Sequence, residues 1–168
     1  MNGEHAGTLI KVSGDGTCIA LGRREVLLEV GSLVSIDPNP HTEQIGWIAI
    51  VVDVSHAVRE ELLPYMTHAK REVYVPYEKD YDAIHYTLII LEGTGGSVRG
   101  DIVGADVIKL SDDESRDFIK RHGATWFGEL IERLDKQSIL TILNKLERLL
   151  PDMSQKITVM RSYVRESL

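Results

Sequence analysis

Gly31-Ser-Leu-Val-Ser-Ile-Asp-Pro-Asn-Pro-His-Thr-Glu-Gln-Ile-Gly-Trp-Ile-Ala-Ile-Val-Val-Asp-Val54 is the stretch that decides the fold. Two β-type runs, Leu33 to Ile36 and Ile45 to Val54, flank a polar segment with prolines at 38 and 40. Those prolines fix φ and withhold backbone donors, so the segment turns the chain and does not extend a ladder. The second run carries no charge before Asp53, and both of its alternating faces are apolar: Trp47, Ala49 and Val51 on one, Ile48, Ile50 and Val52 on the other. A strand with two apolar faces is covered on both sides, as in the wall of a small barrel or the centre of a sandwich.

Around this stretch the chain reads as one domain of ordinary size, or one domain with a small appendage. Hydrophobic residues make up 43% of its 168 positions, enough for a real core. The single cysteine, Cys18, rules out an intrachain disulfide and leaves no thiolate cluster for zinc. No signal peptide is read at the N-terminus, and no apolar run approaches the ~20 residues of a membrane span, so the expected location is the cytoplasm, with no membrane partner. A formal net charge of −7 argues against strong direct binding to nucleic acid, which rests on clustered Lys and Arg. The charge is uneven. Residues 1–110 hold 9 basic against 16 acidic side chains, and residues 111–168 hold 10 of each. The hydrophobic period changes at the same place, which sets a boundary near Leu110.

Residues 1–110 read as a small β-barrel, mainly antiparallel. Met1 to Ala6 is expected to fray. Gly7 to Val12 and Thr17 to Leu21 are strands joined by Ser13-Gly14-Asp15-Gly16, where the Asp-Gly pair marks a hairpin. Glu25 to Val30 is expected as a third strand, and strands this close in sequence are expected as antiparallel meander neighbours. Ser55 to Met66 breaks the alternation: Ser55 is a candidate cap and Val58 and Leu62 share a helical face, so a short helical insertion is expected near 55–66. Val73 to Tyr77, Ile84 to Leu91 and Ile102 to Leu110 are the remaining strands, with Gly93-Thr94-Gly95-Gly96-Ser97 a flexible loop between the last two.

Three features of this part invite chemistry. A phosphate-cradling P-loop needs a lysine after its glycines, and after Gly93–Ser97 the next basic residue is Arg99, so the loop reads as a turn. Histidines at 5, 41, 56, 68, 85 and 122 show no ligand spacing. Asp53 and His56 could form an acid–base pair, but no nucleophile or third group accompanies them, and a solvated strand end is the better explanation. No catalytic residue, cofactor or metal is assigned.

Residues 111–168 read as a helical subdomain. Ser111-Asp112-Asp113-Glu114 is a capping box, and its helix should stop around His122-Gly123. Trp126, Phe127, Leu130, Ile131 and Leu134 mark a second helix, and Asp135 or Ser138 caps a third that Pro151 ends. Ile157, Met160, Tyr163 and Val164 form one face of a fourth. On the third helix Ile139, Leu143, Leu146 and Leu150 make a seam, widened by neighbouring leucines beyond a coiled-coil stripe. Such an arc is covered either by the barrel and the other helices or by a second chain. The four seam residues are the candidate interface of a homo-oligomer or of a partner protein.

The fold class is thus a β-barrel with a C-terminal α-helical subdomain, α+β. Residues 7–110 resemble the HAS barrel, the N-terminal barrel shared by HerA-type DNA translocases and rotary ATP synthase subunits. The resemblance is carried by Gly7, by Gly31-Ser32-Leu33-Val34-Ser35-Ile36, by Ile45-Gly46-Trp47-Ile48, by Tyr86 to Leu91 with Gly93, and by Gly104-Ala105-Asp106-Val107. It implies a non-enzymatic assembly or adaptor module, serving oligomerisation or the docking of a partner protein. The ATPase core that follows the barrel in HerA-like proteins has no counterpart here, so translocase activity is not implied. The same grammar of glycines and aliphatics is similar to the small barrel of H/ACA ribonucleoproteins, an RNA-processing scaffold, and an unrecognised hydrolase or metal enzyme is the third class.

Overall fold

The computed structural model describes residues 3–37, 46–58, 82–92, 102–122 and 124–167. Six strands, β1 (Glu4–Val12), β2 (Thr17–Gly22), β3 (Leu33–Asp37), β4 (Trp47–Val58), β5 (Asp82–Glu92) and β6 (Asp106–Lys109), form a closed barrel in the order β1-β2-β5-β4-β3-β6. Every pairing is antiparallel. Four helices follow: α1 (Asp112–His122), α2 (Thr125–Arg133), α3 (Lys136–Leu149) and α4 (Ser154–Ser167), with a 3-10 turn over Pro151–Met153. The α+β barrel expected from periodicity is the fold observed.

The two-faced reading of β4 explains how the parts join. Ala49 and Val51 point into the barrel, where they pack with Leu9, Val34, Ile36, Tyr86, Leu88 and Val107. Ile48 and Ile50 point outward, beneath a second core built with Leu130, Ile139, Ile142, Leu143 and Leu146 of the helices. The outer face of β5 contributes Ile89 to the same layer, and α2 packs on that strand. Pleated strands send successive side chains to opposite faces, so one strand serves two cores. A β-bulge interrupts β4: Val51 faces Leu88, but Asp53 and not Val52 faces Thr87. The extra residue resets the alternation, and Val54, paired with Tyr86, packs against the interior cluster instead of following Val52 outward.

Several elements differ from expectation. β1 begins at Glu4, and Ala6 is fully buried, because residues Glu4–Thr8 pair with β6. Residues 25–30 are not a strand; they form an irregular strap between β2 and β3. The simple meander fails there as well, since β2 leaves β3 and pairs with β5. The last strand is only Asp106–Lys109, because the chain turns at Ile102–Gly104, where Gly104 adopts φ 92° and Ala105 N–H donates to the Ile102 carbonyl. β4 continues through Val58, so a helix cannot begin at Ser55; the rest of that insertion, the strand at 73–77 and the loop at 93–97 lie outside the described residues. The first hairpin is as expected: Gly16 takes φ 83°, and Ser13 N–H donates to the Thr17 carbonyl at 2.8 Å.

Helix ends follow local chemistry. Ser111 Oγ accepts from Glu114 N–H at 3.3 Å, and the Glu114 carboxylate accepts from Ser111 N–H at 2.9 Å, a complete capping box. Acidic residues fill the first turn of α1 and basic ones the last, complementing its dipole. Asp135 caps α3 by accepting from Ser138 N–H at 3.0 Å. The hydrogen bond from the Ser138 hydroxyl, and after it this backbone bond, hold the Asp135 carboxyl below the usual range. α3 and α4 are tied by Glu147, which receives hydrogen bonds from Arg161 and Ser154. Removing the α1 cap with Ser111→Ala should cost about 0.5–2 kcal/mol in urea denaturation. An unchanged midpoint would show that α1 is held by packing alone.

Candidate functional site

The four residues assigned to an interface lie inside the chain. Ile139, Leu143 and Leu150 have no exposed surface and Leu146 only 1%. They pack with Leu130, Ile157 and Val164 of the neighbouring helices and with Ile48, Ile50 and Ile89 of the barrel wall. The apolar arc is wide because α3 touches both a helix layer and a sheet. No part of this seam is left for a second chain while the fold stands, and the candidate interface is corrected to intrachain core.

The acid–base pair does not form either. No bulge separates Asp53 from His56 on β4, so side chains three positions apart leave opposite faces of the strand, and both are exposed. The fold assembles a different pair. His5 Nε2 lies 2.8 Å from Asp106 Oδ1 across the β1–β6 seam, with both side chains half-buried. Its other ring nitrogen, Nδ1, is buried with no hydrogen-bond partner among the described residues. With Nε2–H donating to the carboxylate, Nδ1 is the base nitrogen, yet it meets no hydroxyl or thiol that it could deprotonate. The pair clamps the barrel seam. Its partners stand 101 residues apart, so nothing local in the sequence marks it.

The strap over residues 23–32 organises the most structured surface feature. Leu28 turns inward and is buried in the barrel interior, where its backbone N–H donates to the Tyr86 hydroxyl at 3.1 Å. Tyr86 is the largest fully buried side chain, and this bond satisfies its polar tip. Two more backbone bonds fasten the strap to β4, Gly31 N–H to the Val51 carbonyl at 2.8 Å and Val51 N–H to the Ser32 carbonyl at 2.9 Å. Glu29 is further held by an ion pair with Lys145 of α3, and its N–H donates to Ser32 Oγ at 3.0 Å.

Between the strap, the end of β6, α1 and α3 lies a cleft of about 160 Å³. Leu33, Leu110 and Leu149 line it together with two cations, Lys109 and Lys145, and two anions, Glu29 and Asp112. At its lip stands Leu27, 60% exposed, next in sequence to the buried Leu28. Other apolar side chains exposed on the surface are Ile10, Leu21 and Val103 on the barrel and Val159 and Tyr163 on α4.

Cys18 faces the barrel interior and is fully buried. Burial pushes its thiol up to about 11, and the nearby Asp15 carboxylate adds to the rise. The thiolate is the reactive species, so the native protein should resist iodoacetamide near pH 8 and react only on unfolding. Rapid labelling of the native chain at that pH would contradict the filled barrel.

Among the described residues there is no group of three or more His, Cys, Asp or Glu side chains that could hold a metal, and no helix long and apolar enough to cross a membrane. No protein-family model matches the chain, and no curated protein is similar to it in sequence.

Proposed function

We propose that the protein is a non-enzymatic assembly or adaptor module of HAS-barrel type, acting through protein–protein contact in the cytoplasm. The observation that supports this reading best is the closed antiparallel barrel formed by the described residues within 7–110, its interior filled by Leu9, Ile36, Tyr86 and Leu88. A small barrel packed solid with side chains presents its outside to a ligand, not its inside. The wall toward β4 and β5 is already taken by the helices, so the barrel displays a restricted set of surfaces, among them the strap and its cleft.

The same reading holds that the chain binds no ATP and does not bind nucleic acid strongly by itself. Native mass spectrometry of the chain purified from its source cells should find a complex of fixed stoichiometry, containing further copies or a second protein. Calorimetric titration with ATP should give no heat. A chain that stays single in the cell, or that takes up ATP at micromolar concentration, would remove the adaptor assignment.

A further inference from the structure

We infer that α4 is a releasable latch: it undocks as a unit at the 3-10 turn Pro151–Met153 while the barrel stays folded, and it uncovers a groove that takes an amphipathic helix. The release is a property of the fold and stands or falls independently of the adaptor assignment.

The helices are held unequally. α3 lies between the barrel wall and the other helices, with Ile139, Ile142, Leu143 and Leu146 all buried. α4 has the same 14 residues, yet only Ile157 and Val164 are buried on it, with Met160 packed at the margin. Val159 and Tyr163 are exposed. The main neighbours of α4 are α3 and the 3-10 turn, and it reaches α2 where the Tyr163 ring meets Phe127 edge-on at 6.4 Å. An element held by few buried apolar contacts opens ahead of the global transition.

The turn and the helix are fastened separately. Asp152 in the turn is held by Arg116 and Lys120 of α1, each at 3.3 Å, and Met153 is buried. These contacts keep the turn in place as a pivot. α4 itself is closed by a polar clasp. Glu147 of α3 accepts from Arg161 and, at 3.0 Å, from the Ser154 hydroxyl, and Lys136 Nζ donates to the Arg165 carbonyl at 3.0 Å. Glu147 and Lys136 both reach solvent, so water takes over their bonds when α4 leaves.

What the latch covers is the α3 seam and the adjoining side of α2. Ile157 and Val164 enter it two helical turns apart, the spacing with which an amphipathic helix seats its apolar face in a groove. The structure itself shows the occupant's chemistry, because α4 is a helix already lying there. A second helix with aliphatic residues at that spacing competes for the same place, and α4 is the intramolecular contact that excludes it.

Hydrogen exchange with mass spectrometry on the full chain tests the release. A detached segment of this length does not stay helical in water, so opening exposes its amides. In the wild type, α4 should exchange roughly tenfold or more faster than α3 and the strands of the barrel. Ile157→Glu/Val164→Glu should leave α4 unprotected, while β4 and β5 keep their wild-type protection. A synthetic peptide of residues 154–167, followed by fluorescence anisotropy, should then bind the double variant, whose groove is vacant, and not the wild type. The same peptide carrying both substitutions should bind neither. Wild-type α4 exchanging at the rate of α3 and the barrel, or loss of β4 and β5 protection in the double variant, overturns the latch. A wild-type peptide that fails to bind the double variant up to about a millimolar overturns the groove. Neither result touches the native-complex measurement on which the adaptor assignment depends.

Discussion

Tyr86→Ala should bring the protein close to global unfolding. Its ring fills the middle of the barrel with no exposed surface, and truncating a buried aromatic costs about 3–5 kcal/mol. Leu28 N–H would also lose its acceptor, which adds about 1–3 kcal/mol for a buried donor left bare. Against a typical domain stability of about 5–15 kcal/mol, the sum removes a large part of the margin. Tyr86→Phe separates the two effects. It keeps the ring, so the barrel should fold, with stability lowered by about 1–3 kcal/mol and faster amide exchange at Leu28 and along the strap. Urea titration and hydrogen exchange measure both. A Tyr86→Phe variant with wild-type stability and an unchanged exchange rate at Leu28 would mean that the strap does not depend on this bond.

The second large effect is at Leu143. Leu143→Ala should cost about 2–5 kcal/mol, the range for a fully buried leucine whose surroundings relax only in part. Leu143→Glu should be worse, because a carboxylate at this position is surrounded by leucines and isoleucines with no partner to offset its lost hydration. The expected outcome is loss of the cooperative thermal transition together with loss of helical signal. Had the seam formed an intermolecular contact, the same change would lower the mass in solution and leave the fold intact. Light scattering with circular dichroism tells these apart. A folded Leu143→Glu monomer derived from a wild-type oligomer would contradict the intrachain packing.

Leu143 also shows where reading the sequence stops. Periodicity along residues 139–150 establishes a helix and the width of its apolar arc, and both match the structure. It carries no information about what lies opposite the arc. That depended on β4 and β5 turning Ile48, Ile50 and Ile89 outward, far earlier in the chain. The two apolar faces of β4 were legible because pleat geometry converts alternation directly into sidedness. The strap was not. Val26, Leu28 and Val30 alternate with Leu27 and Glu29 as a strand would, and only the inward turn of Leu28 toward Tyr86 separates the two conformations. The capping box at Ser111 and the glycine turn at Gly16 were legible for the opposite reason, since all their partners lie within a few residues. The His5–Asp106 clamp and the Lys109–Asp112 cleft arise only on closure. For the same reason the candidate site could not be found from spacing.

That closure has a kinetic consequence. β1 meets β6, and β2 meets β5, so the ring is completed by contacts between segments far apart in sequence, while β1–β2 is a local hairpin. Such non-local pairing slows folding far more than it weakens the final state, because each long loop must be closed before any contact rewards it. During synthesis the strands up to β5 emerge with β1 and β3 still carrying bare edges, the templates on which chains pair wrongly with one another. β6 is only four residues long, yet it covers both edges at once. The interval between the emergence of β5 and the arrival of Asp106–Lys109 is therefore when the nascent chain is most prone to aggregate, and a ribosome pause placed there should lower the soluble yield more than the same pause placed after α1.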